Sequence, residues 1–499
     1  MDCANSEEKR FIIKTSLTHP LQIAEVPAAN GTIGITFCPG KQQRSAFSGQ
    51  WSRDLAIDLD AIHAWGAAAV VTLVEDHELA SLKVEQLGAE VQARHMAWHH
   101  LPIPDVSVPC SGFEAQWQQH GESLRSLLRH GFKVLVHCKG GLGRAGTISA
   151  RLLVELGTAP AEAIAMVRAV RPGAIETEAQ RQHVLCATPI PEKQPDTSGE
   201  AIRDRAIGAL LGLAVGDAIG TTLEFKARDS YPKLTDMVGG GPFGLKPGEW
   251  TDDTAMALAL ADSLIAQGQL DELDLMARFV RWHEQGQYSC TGTCFDIGIT
   301  TRQALMRFKR SGDPVAGSND PSTAGNGSLM CLAPIAIRFH RDRKSLRDAA
   351  ARQSRTTHAA SEAVDACVAF SELLADALEG RPINEVLSPA QSDWSGAIAG
   401  IMAGSWRGKL RHQIRASGYV AHSLEASLWS VGRSSSFADA VLLAANLGED
   451  ADTTAAITGQ LAGALHGVSG IPENWLDKLV WRARIAGMAD ALMSLADGS

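Results

Sequence analysis

The chain has 499 residues, too many for one hydrophobic core, so two or three domains are expected. Its hydrophobic share (45%) and charged share (20%) are those of a globular protein, and a net charge of −10 argues against general binding to nucleic acid or to an anionic membrane. Nine cysteines without framework-like spacing, an N-terminus (MDCANSEEKR) with no apolar signal core, and no apolar run expected to span a bilayer together predict a cytoplasmic protein.

In chain order, Leu55 to Trp65 has helical spacing, and Ala67 to Val74 (AAAVVTLV) is a short apolar, partly β-branched run. A strand-like run, Phe132 to Val136, leads into His137-Cys138-Lys139-Gly140-Gly141-Leu142-Gly143-Arg144, and a helix-like run, Ala145 to Leu156, leads out. This alternation predicts an α/β domain over residues 1–186, with a central sheet flanked by helices. Ala187 to Glu200 (ATPIPEKQPDTSGE) carries three prolines, is otherwise mostly polar and lacks periodicity, so 187–200 reads as a linker. Beyond it, Ala206 to Gly220, Thr254 to Ile265, Ser361 to Leu378 and Thr453 to Leu465 have helical spacing with many small residues, which predicts an all-α domain over 201–499.

The glycine-rich run between Cys138 and Arg144 suits attack on a phosphate ester. Backbone N–H groups of Lys139, Gly140, Gly141 and Gly143 can converge on an anion, the helix N-terminus adds partial positive charge, and the same field favours a thiolate at Cys138. Arg144 can grip phosphate oxygens in a fork. His137 reads as an orienting or pKa-lowering neighbour of Cys138. Lys133, Lys139, Arg144, Arg151, Arg168 and Arg171 make the surroundings basic in an acidic chain. The leaving oxygen needs a proton, and Asp105, in the proline-rich LPIPD segment, is the candidate acid.

These residues carry a resemblance. HCKGGLGR matches the H-C-x5-R signature of cysteine-dependent protein phosphatases. With GITFCPGK, VTLVEDHEL, LPIPD, HCKGGLGRAGT and RPGAIETEAQ in order over about residues 20 to 186, the chain resembles the dual-specificity, kinase-associated type. The resemblance implies that Cys138 forms a phosphocysteine, Arg144 binds the phosphoryl group, Asp105 is acid and then base, and Gln180 positions the hydrolytic water, with no cofactor. Many members have Ser or Thr directly after the arginine, where its hydroxyl helps the thiolate leave. This chain has Ala145, so turnover is expected to be slower unless Thr147 substitutes.

Farther on, Trp250-Thr251-Asp252-Asp253-Thr254 and Gly448-Glu449-Asp450-Ala451-Asp452-Thr453-Thr454 each open a helical stretch. Aspartates are ordinary helix caps, but one cap needs one carboxylate, not two or three. Oxygen-only clusters suit Mg²⁺ or Mn²⁺ and not zinc, and two such clusters could hold a pair of ions. Cys290 and Cys294 have no second pair and read as packing residues, and His358 carries no assigned role.

DRAIGALLGLAVGDAIGTTLEF, GEWTDDTAMALALADSL, YSCTGTCFDIG, AGNGSLMCLAPIAI and NLGEDADTTAAITGQLAGALHG, over about residues 203 to 470, resemble the ADP-ribosylglycohydrolase family. The resemblance implies an all-α bundle around two divalent cations held by Thr251, Asp252, Asp253, Asp450, Asp452 and Thr453. It places Glu224 near the ribose, and Asn326, in a Gly-Asn-Gly-Ser turn, near the diphosphate or ribose. Water would attack C1″ and release ADP-ribose from its acceptor. The expectation is a bifunctional hydrolase acting on phosphorylated and ADP-ribosylated protein or small-molecule substrates, with no nucleic-acid or membrane partner. Two alternatives stand beside it: a phosphate-binding module that targets the glycohydrolase, or two domains that process a small phosphorylated ADP-ribose or nucleoside compound.

Overall fold

The computed structural model describes residues 13–46, 49–388 and 393–497. The chain divides into two compact units, Met1–Glu192 and Lys193–Ser499.

The first unit contains strands β1 (Ala24–Ala28), β2 (Gly31–Phe37), β3 (Gln42–Ala46), β4 (Gly49–Ser52), β5 (Ala67–Thr72), β6 (Ala97–His100) and β7 (Lys133–Cys138). Its helices are α1 (Leu55–Trp65), α2 (Asp76–Leu82), α3 (Leu87–Ala93), α4 (Ser111–Arg129), α5 (Gly143–Glu155), α6 (Pro160–Val170) and α7 (Glu178–Leu185). Asp54 caps α1 by accepting from the Ile57 N–H, and Gly66 ends it at φ 95°, a left-handed turn that glycine makes without strain. The chain then enters β5, which is buried along its whole length, as an apolar β-branched run in a covered parallel sheet should be.

The main sheet has the order β1-β2-β7-β5-β6, and only β1 runs antiparallel to its neighbour. Phe37 lies opposite Cys138, and Thr72 opposite His137. The carboxyl ends of β2, β7 and β5 are therefore level, and the loops that leave them meet at one edge of the sheet. Open α/β sheets place ligands at that edge. Leu59, Ile62, Val70, Leu87, Val91 and Leu135 pack a core beneath it.

The second unit is helical. It comprises α8 (Gly199–Gly220), α9 (Asp252–Gln267), α10 (Glu272–Gln285), α11 (Ile299–Ser311), α12 (Ala333–Phe339), α13 (Arg343–Thr357) and α14 (Ser361–Leu378). It continues with α15 (Ile383–Val386), α16 (Gly396–Met402), α17 (Val420–Gly432), α18 (Phe437–Ala445), α19 (Ala451–His466), α20 (Glu473–Lys478) and α21 (Arg482–Asp497). Its axis is the pair α8 and α19. Gly208, Gly212, Gly216 and Gly220 recur every fourth residue and share one face of α8. A β-carbon on them would meet the backbone carbonyls of Gly463, Gly459, Ala455 and Ala451 on α19 at 2.5, 2.3, 2.1 and 2.3 Å. The two helices touch backbone to backbone because α8 carries no side chain there and α19 none larger than a methyl group. One expectation is corrected: Gly199–Leu223 is long and apolar enough, by length and composition, to cross a membrane, but 89% of its apolar window is buried inside the unit. Its hydrophobicity comes from its place at the centre of the bundle.

Two candidate active sites

In the first unit, Cys138 ends β7 and Gly143 begins α5, so residues 139–142 join a strand's carboxyl end to a helix N-terminus. Gly141, at φ +70°, donates its N–H to Cys138 Sγ at 3.2 Å, and a β-carbon there would sit 2.5 Å from the Thr36 backbone. A β-carbon at Gly143 would come within 2.3 Å of Glu176 Oε2 and 3.0 Å of Gln180 Nε2, side-chain ends that can move, whereas Gly140 faces open space.

Arg144 is buried (2% exposed) and fully engaged. Its Nη1 donates to Glu78 Oε2 at 2.6 Å and to the Ile103 carbonyl at 2.9 Å, and its Nη2 donates to Glu78 Oε1 at 3.0 Å. Nη2 also pairs with Asp105 Oδ1 at 2.9 Å. Burial opposes charge on Glu78, yet the bonds from Arg144 and from the Glu75 end of α2 hold its carboxyl below the usual range. Glu78 thus fixes the plane of the Arg144 guanidinium, and the half-exposed Asp105 reaches the same group from the LPIPD loop.

Lys139 Nζ lies 3.9 Å from Glu78 Oε1. Gln180 is buried beside Gly143; its Oε1 accepts the Glu176 N–H at 2.9 Å and its Nε2 donates to the Ser107 carbonyl at 3.1 Å. His137 Nε2 lies 2.8 Å from Thr72 Oγ1, which also accepts from Trp98 Nε1 at 2.9 Å. Burial pushes the His137 imidazole down to about 3, so the ring is neutral at pH 7 and lends no positive charge to the thiol. It orients the strand instead.

Thr147 does not stand in for the missing hydroxyl at Ala145. Its Oγ1 donates to the Gly143 carbonyl one helical turn back, at 2.8 Å, as a threonine in a helix interior readily does.

Sequence reasoning missed two groups here and counted a third, Arg171, only as part of the basic surroundings. Glu78 is the anchor of Arg144. Lys41, 5% exposed, donates from Nζ to the Lys139 carbonyl at 3.4 Å and lies over the Phe37 and Trp51 rings, and burial pushes its amine down to about 8. Arg171 Nε donates to the Gly141 carbonyl at 2.9 Å.

In the second unit, two carboxylates outside the Asp-rich runs do the capping. Asp217, on α8, accepts the Thr251 N–H and hydroxyl on Oδ1, both at 2.9 Å, and the Thr254 N–H and hydroxyl on Oδ2, at 3.0 and 2.6 Å. Glu224 Oε2 accepts the Ala451 and Asp452 N–H groups at 2.7 and 3.3 Å, at the start of α19. The capping account of Asp252, Asp253 and Asp450 therefore lapses: other residues satisfy the helix ends.

Of the freed carboxylates, Asp253 and Asp450 each join an oxygen set with Asp452, and Asp252 belongs to neither set. Asp253 Oδ2 accepts from Thr251 Oγ1 at 3.2 Å and from Thr453 Oγ1 at 3.4 Å, while Asp253 Oδ1 is buried without a partner. Thr251 Oγ1 also reaches Asp452 Oδ2 at 3.4 Å. One oxygen each from Asp217, Asp253 and Asp452, and one each from Glu224, Asp450 and Asp452, form two sets within 4.8 Å, with Asp452 in both. Asn326 Nδ2 donates to Asp450 Oδ2 at 2.5 Å and to Ser423 Oγ at 2.8 Å. Burial, and then repulsion among these carboxylates, pushes Asp217 and Asp450 up to about 7 and holds Asp252, Asp253 and Glu224 well above the usual carboxylate range.

Asp296, also missed, is pushed up to about 11 by burial and by Asp452, to which its side chain hydrogen-bonds. His358, left without a role from sequence, is buried and packs close to Gly325 and Gly327, on either side of Asn326. Cys290 Sγ donates to the Trp250 carbonyl at 3.1 Å, in keeping with packing.

Comparison with known proteins agrees with both family resemblances. Residues 198–499 match the ADP-ribosylglycohydrolase family, and residues 49–184 match the "Swiss Army Knife protein, DSP-PTPase phosphatase domain" family. The chain is 50% identical over 297 residues to the ADP-ribosylarginine hydrolase Tri1 of Pseudomonas putida (strain GB-1), covering 60% of this chain and 80% of that protein. It is 30% identical over 172 residues to cyclin-dependent kinase inhibitor 3 of Rattus norvegicus, covering 33% of this chain and 77% of that protein. A solved ADP-ribosylglycohydrolase-related protein complex aligns with a TM-score of 0.54 at 40% identity, over 60% of this chain and 99% of its own. The chain therefore belongs to the ADP-ribosylglycohydrolase family and carries a DSP-PTPase phosphatase domain ahead of it, two hydrolase families joined in one polypeptide.

Proposed function

We propose that the chain is a cytoplasmic bifunctional hydrolase that cleaves phosphoric monoesters through a phosphocysteine and hydrolyses the ADP-ribosyl bond with two divalent cations, reversing protein modification. The observation that carries the second activity is the pair of oxygen sets sharing Asp452, at helix ends already capped by Asp217 and Glu224. An all-oxygen donor set with a buried, unpartnered Asp253 Oδ1 fits Mg²⁺ or Mn²⁺. Thr251, Asp252, Asp253, Asp450, Asp452 and Thr453 would hold the ions. When bound, they orient the ribose hydroxyls and make water a better nucleophile. Glu224, in the oxygen set with Asp450 and Asp452, would take the proton released as the water oxygen bonds to C1″ and pass it to the nitrogen that leaves that carbon. Asn326 steadies Asp450 beside the ribose.

The P. putida relative's name points to arginine as the acceptor. The test is ADP-ribose release from arginine-, serine- and small-molecule-linked substrates, with Mn²⁺ or EDTA. Arginine-linked substrate is expected to react fastest and only with the cation; release that persists in EDTA rejects the cation pair.

In the first unit, Cys138 Sγ attacks phosphorus and the ester P–O bond breaks. Asp105 protonates the departing oxygen, then takes a proton from the water that breaks the S–P bond. Arg144 holds the phosphoryl oxygens, and Gln180 directs the water from beside Gly143. A second reading rests on Ala145 and on the committed Thr147 hydroxyl. With no hydroxyl for the departing sulfur, the phosphocysteine breaks down slowly, and a domain that captures phosphate and holds it serves to target its neighbour. Rapid-mixing kinetics are expected to show a burst of alcohol equal to the enzyme, followed by slow turnover. Ala145→Ser is expected to raise the slow rate about tenfold or more. A linear time course with no burst rejects slow breakdown.

A further inference from the structure

The turn that presents Glu224 also presents a large apolar side chain that the hydrolysis does not use. Phe225 is 68% exposed and sits at φ +60°, a left-handed conformation that costs a side-chain-bearing residue about 1–3 kcal/mol. The strain is held in place from outside. The Phe225 N–H donates to the Glu449 carbonyl and the Glu449 N–H donates to the Lys226 carbonyl, both at 2.8 Å, and Glu449 is itself left-handed at φ +63°. The loop that carries Asp450 thus fixes an exposed phenyl ring next to Glu224.

That ring is one of three. Phe225 meets Phe243 edge-on with centroids 6.4 Å apart, and Phe243 meets Phe295 at 5.3 Å. Phe295 precedes Asp296, whose carboxyl bonds Asp452. A cavity of about 290 Å³ opens here, lined by Thr222, Glu224, Phe225, Lys226, Gly241 and Pro242. The ring cluster therefore adjoins two of the buried carboxyls around Asp452 in sequence: Phe225 follows Glu224, and Phe295 precedes Asp296. Lys226 also lines the cavity and is exposed to solvent.

We propose that Phe225, backed by Phe243 and Phe295, is the acceptor subsite, the surface on which the guanidinium of an ADP-ribosylated arginine lies while its bond to C1″ is broken. The inference rests on the reading of the Asp452 cluster as the glycohydrolase site. Position selects the acceptor over the adenine: Phe225 adjoins Glu224, so it borders the reacting ribose, whereas the adenosine lies a diphosphate away. Chemistry selects a planar cation: a guanidinium stacks on an aromatic face, and a neutral serine-linked acceptor gains nothing there.

The test uses the full chain with Mn²⁺ and compares arginine-linked with serine-linked ADP-ribose. A cation over an aromatic face contributes about 0.5–2 kcal/mol, so Phe225→Ala is expected to lower kcat/KM for the arginine-linked substrate about 3- to 30-fold. Hydrolysis of the serine-linked substrate and the calorimetric affinity for free ADP-ribose, which lacks an acceptor, are expected to change less than about twofold. Phe225→Trp is expected to retain the arginine preference, and an unchanged thermal melt of the second unit in Mn²⁺ reports that it is folded. Equal losses on both linkages, or weakened ADP-ribose binding, overturn the subsite while leaving the glycohydrolase reading standing. A wild type inert on both linkages overturns that reading and the subsite with it.

Discussion

Cys138→Ser is expected to lower phosphate release by at least about 1,000-fold at neutral pH, more than about 4 kcal/mol of barrier, and to leave ADP-ribose release unchanged. A serine hydroxyl stays protonated where a cysteine in an anion-binding loop can ionise, so the attack on phosphorus is lost. The loop itself does not depend on the sulfur. Gly141 is confined by the Thr36 backbone, and Arg144 is anchored by Glu78 and Asp105. The variant is therefore expected to hold phosphorylated ligands as a trap. Arg144→Met should behave differently. It removes the phosphate grip and leaves the buried Glu78 (3% exposed) with the more distant Lys139, at 3.9 Å, as its cation, at a cost of up to about 3–5 kcal/mol. Hydrolysis of a generic aryl phosphate, calorimetric binding of tungstate and a thermal melt separate these outcomes. If Cys138→Ser still turns over, Cys138 is not the nucleophile. If the wild type binds tungstate tightly but releases no phosphate, the first unit is a binding module.

Sequence legibility followed how locally the chemistry is written. The cysteine loop and its flanking strand and helix were readable because nucleophile, glycines and arginine are contiguous, and β7 and α5 lie where apolar run and helical spacing placed them. The Asp-rich runs were readable for the same reason. Glu78, Lys41, Asp217 and Asp296 were not, because each reaches its site from another element. Glu78 is one of several carboxylates in VEDHEL, and only the folded α2 turns it toward Arg144. Asp217 did leave a signal: a single carboxylate inside an uninterrupted apolar helix must find donors. The glycines spaced by four on α8 were likewise visible, but their partner, the small-residue face of α19, lies more than two hundred residues away in sequence.

Asp452→Asn is expected to abolish ADP-ribose release as fully as chelation does, by at least about 100-fold, and to leave phosphate release intact. Asp452 is the one carboxylate common to both oxygen sets, so its loss weakens both ion positions, whereas Asp253 and Asp450 each belong to one set. The same crowding fixes the pH response. Burial and Asp452 push Asp217 and Asp450 from 3.8 up to about 7. The folded, cation-free protein then holds protons that the unfolded chain has released, from about pH 4 to about pH 7. A state that binds extra protons is favoured by acid, so the stability of the EDTA-treated chain falls as pH rises through that window. Bound cations replace those protons, so the apparent affinity for Mn²⁺ is expected to weaken as pH drops below about 7. Thermal melts in EDTA and in Mn²⁺ should therefore diverge most at about pH 8 and converge toward about pH 5. Asp452→Asn, which relieves the repulsion, should melt higher than the wild type in EDTA at about pH 8 and gain little from Mn²⁺. A melt indifferent to Mn²⁺ at high pH, with release that survives EDTA, would return these aspartates to a purely structural role.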